Sequence, residues 1–137
     1  MRKLDLRVIG FINSFENMTH AKVKDAFFDR NETLVFVVEE GEMGKAIGKN
    51  GSNIKNVSFR MKKRVKAIEY NNDPATFVKN AIHPVRAESI ELQDNTIVIT
   101  VSSTESKAIL LGRGKQNLAE LNSTVKRYFE QLDVKIA

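Results

Sequence analysis

The stretch Gly41-Glu42-Met43-Gly44-Lys45-Ala46-Ile47-Gly48-Lys49-Asn50-Gly51 decides how this sequence folds. It interrupts a β-rich pattern and is followed by Ile54, Val57 and Met61 at helical spacing, so it reads as a short helix, a glycine turn and a second helix. Glycine reaches positive φ and carries no side chain, which lets an anion approach the backbone N–H groups of such a turn. The helix that starts at once brings its positive end and unpaired amides to the same point, and Lys49 adds a full charge. Asn50, inside the turn, tolerates left-handed backbone. For an isolated G-x-x-G tetrapeptide, a tight turn between helices without any ligand is the plainer account.

Working outward, Leu4, Val8, Phe11, Ile12 and Phe15 form a helical stripe that predicts an amphipathic first helix ending near Asn17. Lys22 to Asp29 and Thr33 to Glu39 are β-rich runs flanking Arg30-Asn31-Glu32, a hairpin, and Val65 to Tyr70 alternates as a closing strand. Asn71-Asn72-Asp73-Pro74 then punctuates the chain: Asp73 can accept from the free amides of a new helix, and Pro74 suits its first turn. Beyond it, Pro74 to Ile82 predicts a helix. Val85 to Leu92 and Thr96 to Val101 predict a hairpin around Gln93-Asp94-Asn95, and Ser102 with Glu105 has capping-box spacing.

The element order therefore repeats. A shift of 64 residues lays Ile47-Gly48-Lys49 on Leu111-Gly112-Arg113, Asn53 on Asn117, Ile54 on Leu118, Val57 on Leu121, and Val35 and Val37 on Ile99 and Val101. This predicts two duplicated α+β domains, residues 1–72 and 73–137.

Composition narrows the chemistry. The 137 residues include 42% hydrophobic and 28% charged side chains, which suits a packed fold and not a disordered chain. No cysteine is present, which excludes disulfides, thiolate metal sites and cysteine nucleophiles. No apolar run approaches the roughly 18 residues that span a bilayer, and Met1-Arg2-Lys3 leads into the amphipathic stretch, so a cytoplasmic protein is expected. The net charge of +5 comes from the first half, where 14 Lys/Arg face 9 Asp/Glu in residues 1–72, against 8 and 8 afterwards. A basic excess favours polyanionic partners without identifying one.

Placed after a hairpin and before a helix and strand, the turn resembles the GXXG loop of the KH family, which clamps backbone nucleotides. The order helix, strand, strand, helix, helix, strand resembles the type II, prokaryotic KH topology. The junction Ile68-Glu69-Tyr70-Asn71-Asn72-Asp73-Pro74, with Phe77-Val78-Lys79-Asn80-Ala81 and Pro84-Val85 beyond, resembles the segment joining the paired KH domains of the NusA family in its short archaeal form. Bacterial members carry a polymerase-binding domain and an S1 domain for which this length leaves no room. The resemblance implies two tandem KH domains, each a three-stranded sheet packed against helices. It further implies single-stranded RNA bound in extended form across both, and a role in transcription elongation, termination or antitermination, with RNA polymerase as a candidate partner of a monomer.

By the same resemblance, RNA contacts fall to Ile47, Gly48, Lys49, Asn50, Gly51, Asn53, Ile54 and Lys55 in the first domain, and to Gly112, Arg113, Gly114, Lys115 and Asn117 in the second. Lys115 stands where the family's closing glycine belongs, so reduced backbone access and a looser phosphate clamp are expected there. Ile47, Ile54, Leu111 and Leu118 serve equally as groove walls or core, and Asn53 and Asn117 as sugar or base contacts or as helix-start hydrogen-bonding groups. Arg60, Lys62, Lys63, Arg64 and Lys66 form the densest basic run, either a solvated helix end or a contact for RNA or polymerase. Phe27, Phe28, Phe36 and Phe59 are expected in the core, and Glu39, Glu40 and Glu42 as electrostatic caps of the following helix. His20 and His83 lack ligand partners at metal spacing, and no nucleophile elbow occurs. A cofactor-free binding protein is therefore expected. An accessory factor of ribosome assembly or RNA processing is the alternative within that class, and a Mg²⁺-dependent nuclease using the Asp and Glu residues the alternative outside it.

Overall fold

Residues 6–137 are described by the computed structural model, and they open with the helix that the apolar stripe predicts, α1, Leu6–Thr19. Leu4, the first residue of that stripe, and Met1-Arg2-Lys3 lie outside the described residues. Val8 and Phe15 are buried, with Phe11 and Ile12 packed against the same core. The helix runs past Asn17 to Thr19, whose hydroxyl donates back to the Phe15 carbonyl at 2.8 Å. His20 then leaves the helix at φ 62°.

β1, Val23–Phe28, pairs antiparallel with β2, Leu34–Val38. The turn between them is built by Asp29, whose carboxylate accepts the N–H of Asn31 at 2.8 Å and of Thr33 at 2.9 Å. α2, Met43–Ile47, and α3, Ser52–Met61, carry the chain across to β3, Val65–Glu69, which lies parallel to β2. A parallel pair needs such a crossover. β2 is thus the central strand, and all five of its residues are buried. Leu34, Phe36 and Val38 share one core with Phe15, Ala46 and Val57. The Phe15 and Phe36 rings stack with centroids 4.1 Å apart, and each side chain of this size contributes about 1.5–3 kcal/mol by leaving water.

The chain divides into two units, the first ending at Tyr70 and the second running from Asn71 to Ala137. The second opens on α4, Pro74–Ile82, where the Asp73 carboxylate accepts the Thr76 N–H at 3.1 Å and Pro74 occupies the first turn. β4, Ser89–Gln93, and β5, Thr96–Thr100, form an antiparallel hairpin. α5, Thr104–Leu111, and α6, Gln116–Tyr128, lead to β6, Asp133–Ile136, parallel to β5. Ile97, Ile99, Phe77, Val78 and Val125 are fully buried. Asn122 pins α6 to β6, accepting the Val134 N–H at 2.8 Å and donating to the Val134 carbonyl at 3.2 Å. The same six-element order and the same mixed sheet, β1-β2-β3 and β4-β5-β6, therefore occur twice. The fold is α+β, two tandem domains of type II KH topology.

Three local readings need correction. β4 begins at Ser89 and not at Val85, because the Val85 N–H still turns back to the Ile82 carbonyl at 2.9 Å. The cap of α5 is Ser103, accepting the Ser106 N–H at 2.9 Å, so Ser102 and Glu105 form no capping box. The 64-residue shift holds for the helices and turns but not for the strands. It would put the partner of β2 at residues 98–102, whereas β5 spans Thr96–Thr100. The second hairpin closes on Asp94-Asn95 alone, where the first uses Asp29 to Thr33, so the repeat changes length between its hairpins.

Candidate nucleic-acid interface

Between α2 and α3 the backbone makes one abrupt change of direction. Gly48 stands at φ 75°, ψ 175°, a region that only glycine occupies freely. Asn50 follows at φ 55°, ψ 26°, then Gly51 at φ 77°, ψ 16°, and α3 starts at Ser52. The Gly51 N–H donates to the Gly48 carbonyl at 3.2 Å, while among the described residues no acceptor faces the N–H groups of Lys49 and Asn50. The first turn of α3 contains no acidic side chain to compete for an anion. The turn therefore holds N–H groups without an acceptor among the described residues at the positive end of a helix, with the exposed Lys49, Asn50 and Lys55 around it.

The second domain repeats this geometry closely. Gly112 stands at φ 72°, ψ 172°, Gly114 at φ 60°, ψ 24°, and Lys115 at φ 62°, ψ 26°, before α6 begins at Gln116. Lysine in place of the closing glycine has not rearranged the turn, because that position needs only left-handed helical backbone, which a lysine reaches at about 1–2 kcal/mol. The leading position has no such tolerance. Arg113, Gly114, Lys115 and Asn117 are all exposed.

Gly48 has a further reason to be glycine. A Cβ built on it would lie 2.6 Å from the Asn53 side-chain Cγ, and one on Gly112 would lie 2.6 Å from the Asn117 Cγ. The two asparagines occupy that space because each reaches back across the turn: the Asn53 Nδ2 donates to the Lys45 carbonyl at 2.7 Å, and the Asn117 Nδ2 to the Ile109 carbonyl at 2.8 Å. Of the roles open to these asparagines from sequence, the structure gives each a bond that spans the turn and ties the start of the second helix to the end of the first. Ile47 and Ile54 are half-buried beside the turn, with Ile54 packed on the core, and Leu111 and Leu118 are half-buried beside the other.

Glu42 stands at the N-cap of α2, and its side chain makes no hydrogen bond to the free N–H groups of that helix. Its carboxylate accepts the Lys22 N–H at 2.8 Å and lies 3.5 Å from the Lys45 ammonium. The Lys22 N–H chiefly, assisted by Lys45 and opposed by partial desolvation, holds its carboxyl below the ordinary value of 4.5. Glu42 thus fastens α2 to the start of β1 and partly neutralises Lys45, which leaves Lys49 as the cation of the turn without an ion-pair partner among the described residues.

Phe59 overturns an expectation. Phe36 is buried and Phe27 and Phe28 are half-buried, but Phe59 is 82% exposed. On α3 the inward positions are Ile54, Val57 and Met61; two residues past Val57 is a rotation of about 200°, onto the far face. Sequence reasoning could have found this by extending the stripe it had already drawn. No described helix is long and apolar enough to cross a membrane.

A chain that twice builds helix, two strands, two helices and a strand, with a G-x-x-G-type turn between the paired helices, has the architecture of a tandem KH-domain protein. The KH domain family model matches residues 12–93, from within α1 through the first unit and into β4. Relatives narrow the class. The chain is 38% identical over 117 residues, 82% of its own length and 67% of the other's, to a "Probable transcription termination protein NusA" of Methanococcus vannielii, and 28% identical to the protein of the same name in Methanocaldococcus jannaschii, covering 96% and 72%. The crystal structure of APE1850 superposes with a TM-score of 0.77 at 29% identity, covering 98% of this chain and all of that one. The chain belongs to the KH-domain family and, within it, to the NusA family with its archaeal relatives.

Proposed function

We propose that this chain is a single-stranded RNA-binding protein that acts as a NusA-type factor in transcription elongation, termination or antitermination. The observation that carries the reading is the turn at Gly48–Gly51, with N–H groups that find no acceptor among the described residues just ahead of α3, repeated in the same conformation at Gly112–Lys115. A phosphodiester accepts from such amides, and the half-buried Ile47 and Ile54 offer an apolar floor for bases. Lys49 and Lys55 in the first domain, and Arg113 and Lys115 in the second, draw the strand in by charge. Asn53 and Asn117 hold the turns in shape. We place the domain boundary at residues 72 and 73, just ahead of the Asp73 cap of α4 and two residues past the division of the compact units after Tyr70.

The transcription role is supported by the names of the relatives, and it makes RNA polymerase the protein partner to test, with the chain acting as a cytoplasmic monomer. Titration with single-stranded RNA, the matched duplex and single-stranded DNA over a salt series tests the binding: single-stranded RNA should bind tightest at every salt concentration. Equal affinities for all three would reduce the interaction to charge attraction and remove the proposal.

A further inference from the structure

The exposed phenyl ring of Phe59 lies outside the G-x-x-G turn. It stands eight positions past Gly51, about 12 Å along α3. It packs against no other ring among the described residues, and it shares a shallow depression with Ser58, Arg60, Lys62, Lys63 and Arg64. Two of these cations are held to the body of the domain: the Lys63 Nζ sits 5.7 Å from the Phe11 ring centroid and 5.5 Å from that of Phe28, and the Arg64 Nη2 donates to the Asn31 carbonyl at 3.0 Å. Arg60 and Lys62 are exposed and make no ion pair among the described residues.

The fold does not require an aromatic here. At the shift of 64 that matches α3 to α6, Phe59 falls on the exposed Ser123, while Met61 falls on the buried Val125. The second domain builds the same helix on the same sheet with a hydroxymethyl group at this point. A large apolar ring left in water beside unpaired cations is what an unpaired base with its phosphate would meet: the ring stacks on a base of any identity, and the cations take the charge on either side. An acidic protein would satisfy the cations but has no need of a lone flat ring.

We infer that Phe59, with Arg60 and Lys62, forms a second contact for single-stranded RNA on the first domain, a stacking platform that engages nucleotides beyond those held at the Gly48–Gly51 turn. The inference rests on the proposed RNA binding and extends it to a surface that the turn does not reach.

The chain contains no tryptophan, so a Phe59→Trp variant carries a single indole at the site. Its fluorescence is followed while RNA tetranucleotides, about the length a KH turn clamps, and decanucleotides are added. The decamer should quench the indole and the tetramer should bind without quenching. Phe59→Ser, which copies the second domain's own residue, should lose roughly tenfold in affinity for the decamer and little for the tetramer. Should Phe59→Ser bind the decamer as tightly as the unaltered chain, with the indole unquenched by it, the platform does not exist and the surface serves a protein instead. Failure of the underlying reading looks different. The unaltered chain would then bind neither oligonucleotide, or Gly48→Asp would bind the tetramer undiminished, and the platform would fall with it.

Discussion

The two turns of this molecule present nearly the same backbone by different sequences. Gly48-Lys49-Asn50-Gly51 spends its second glycine at the closing position, while Gly112-Arg113-Gly114-Lys115 moves that glycine one place earlier and closes on a cation. Both still reach φ near 75° at the leading glycine and near 60–77° at the closing residue. The difference separates the two demands that a G-x-x-G turn makes. The leading position is fixed by a glycine-only conformation and by the asparagine folded over it; the closing one asks only for left-handed backbone.

The largest expected effect comes from charging the leading position. Gly48→Asp places a carboxylate where the phosphate is proposed to sit and displaces Asn53. Losing one or two N–H bonds to a charged group corresponds to roughly 3 kcal/mol, about a hundredfold in RNA affinity. Gly112→Asp should weaken binding by a smaller factor, since the basic excess lies in the first half of the chain. Fluorescence anisotropy with one labelled RNA compares them directly, and equal losses would make the two turns equal contributors.

Stability separates the pair more finely. Gly48→Ala must relieve a 2.6 Å approach to the Asn53 Cγ and hold alanine at φ 75°, for a loss of about 2–3 kcal/mol. Asn53→Ala forfeits one hydrogen bond to the Lys45 carbonyl, about 1 kcal/mol. The double variant should lose slightly less than the sum, because removing the Asn53 Cγ relieves the nearest of three close approaches to the new methyl, while the Cβ and backbone N of residue 53 stay 2.9 Å away. Thermal melts of the four proteins close the cycle. Strict additivity would mean that Asn53 does not hold the turn, and the Gly112 and Asn117 pair should repeat the pattern.

Much of this could be read before any coordinates. The stripe from Val8 to Phe15, the Asp73-Pro74 helix start and the duplicated turns are local patterns in which spacing alone carries the signal. What escaped was set by distance in space. Nothing in the sequence links Glu42 to the Lys22 N–H, 20 residues away, or Asn53 to the Lys45 carbonyl on the preceding helix. The strand part of the repeat failed because the two hairpins differ in turn length, and a fixed shift cannot follow an insertion. Phe59 is legible from its place on the helix, two residues past the inward Val57, whereas its residue type alone points to the core.

The smallest effect bears on the closing residue, and its sign is the informative part. Lys115 holds a conformation that costs a side-chain-bearing residue about 1–2 kcal/mol. Glycine there would relieve that strain but enlarge the freedom of the unfolded chain, at about 0.4–1 kcal/mol. Lys115→Gly should therefore stabilise the protein slightly, by roughly 0.5–1 kcal/mol, and the reciprocal Gly51→Lys should destabilise it by a similar amount. Binding should move the other way. Lys115→Gly leaves the amides in place but removes a cation, so the slope of log affinity against log salt should flatten by about 0.7. A variant that was more stable yet kept its full salt slope would show that the Lys115 ammonium never meets the strand, and the second turn would then depend on Arg113 for its charge.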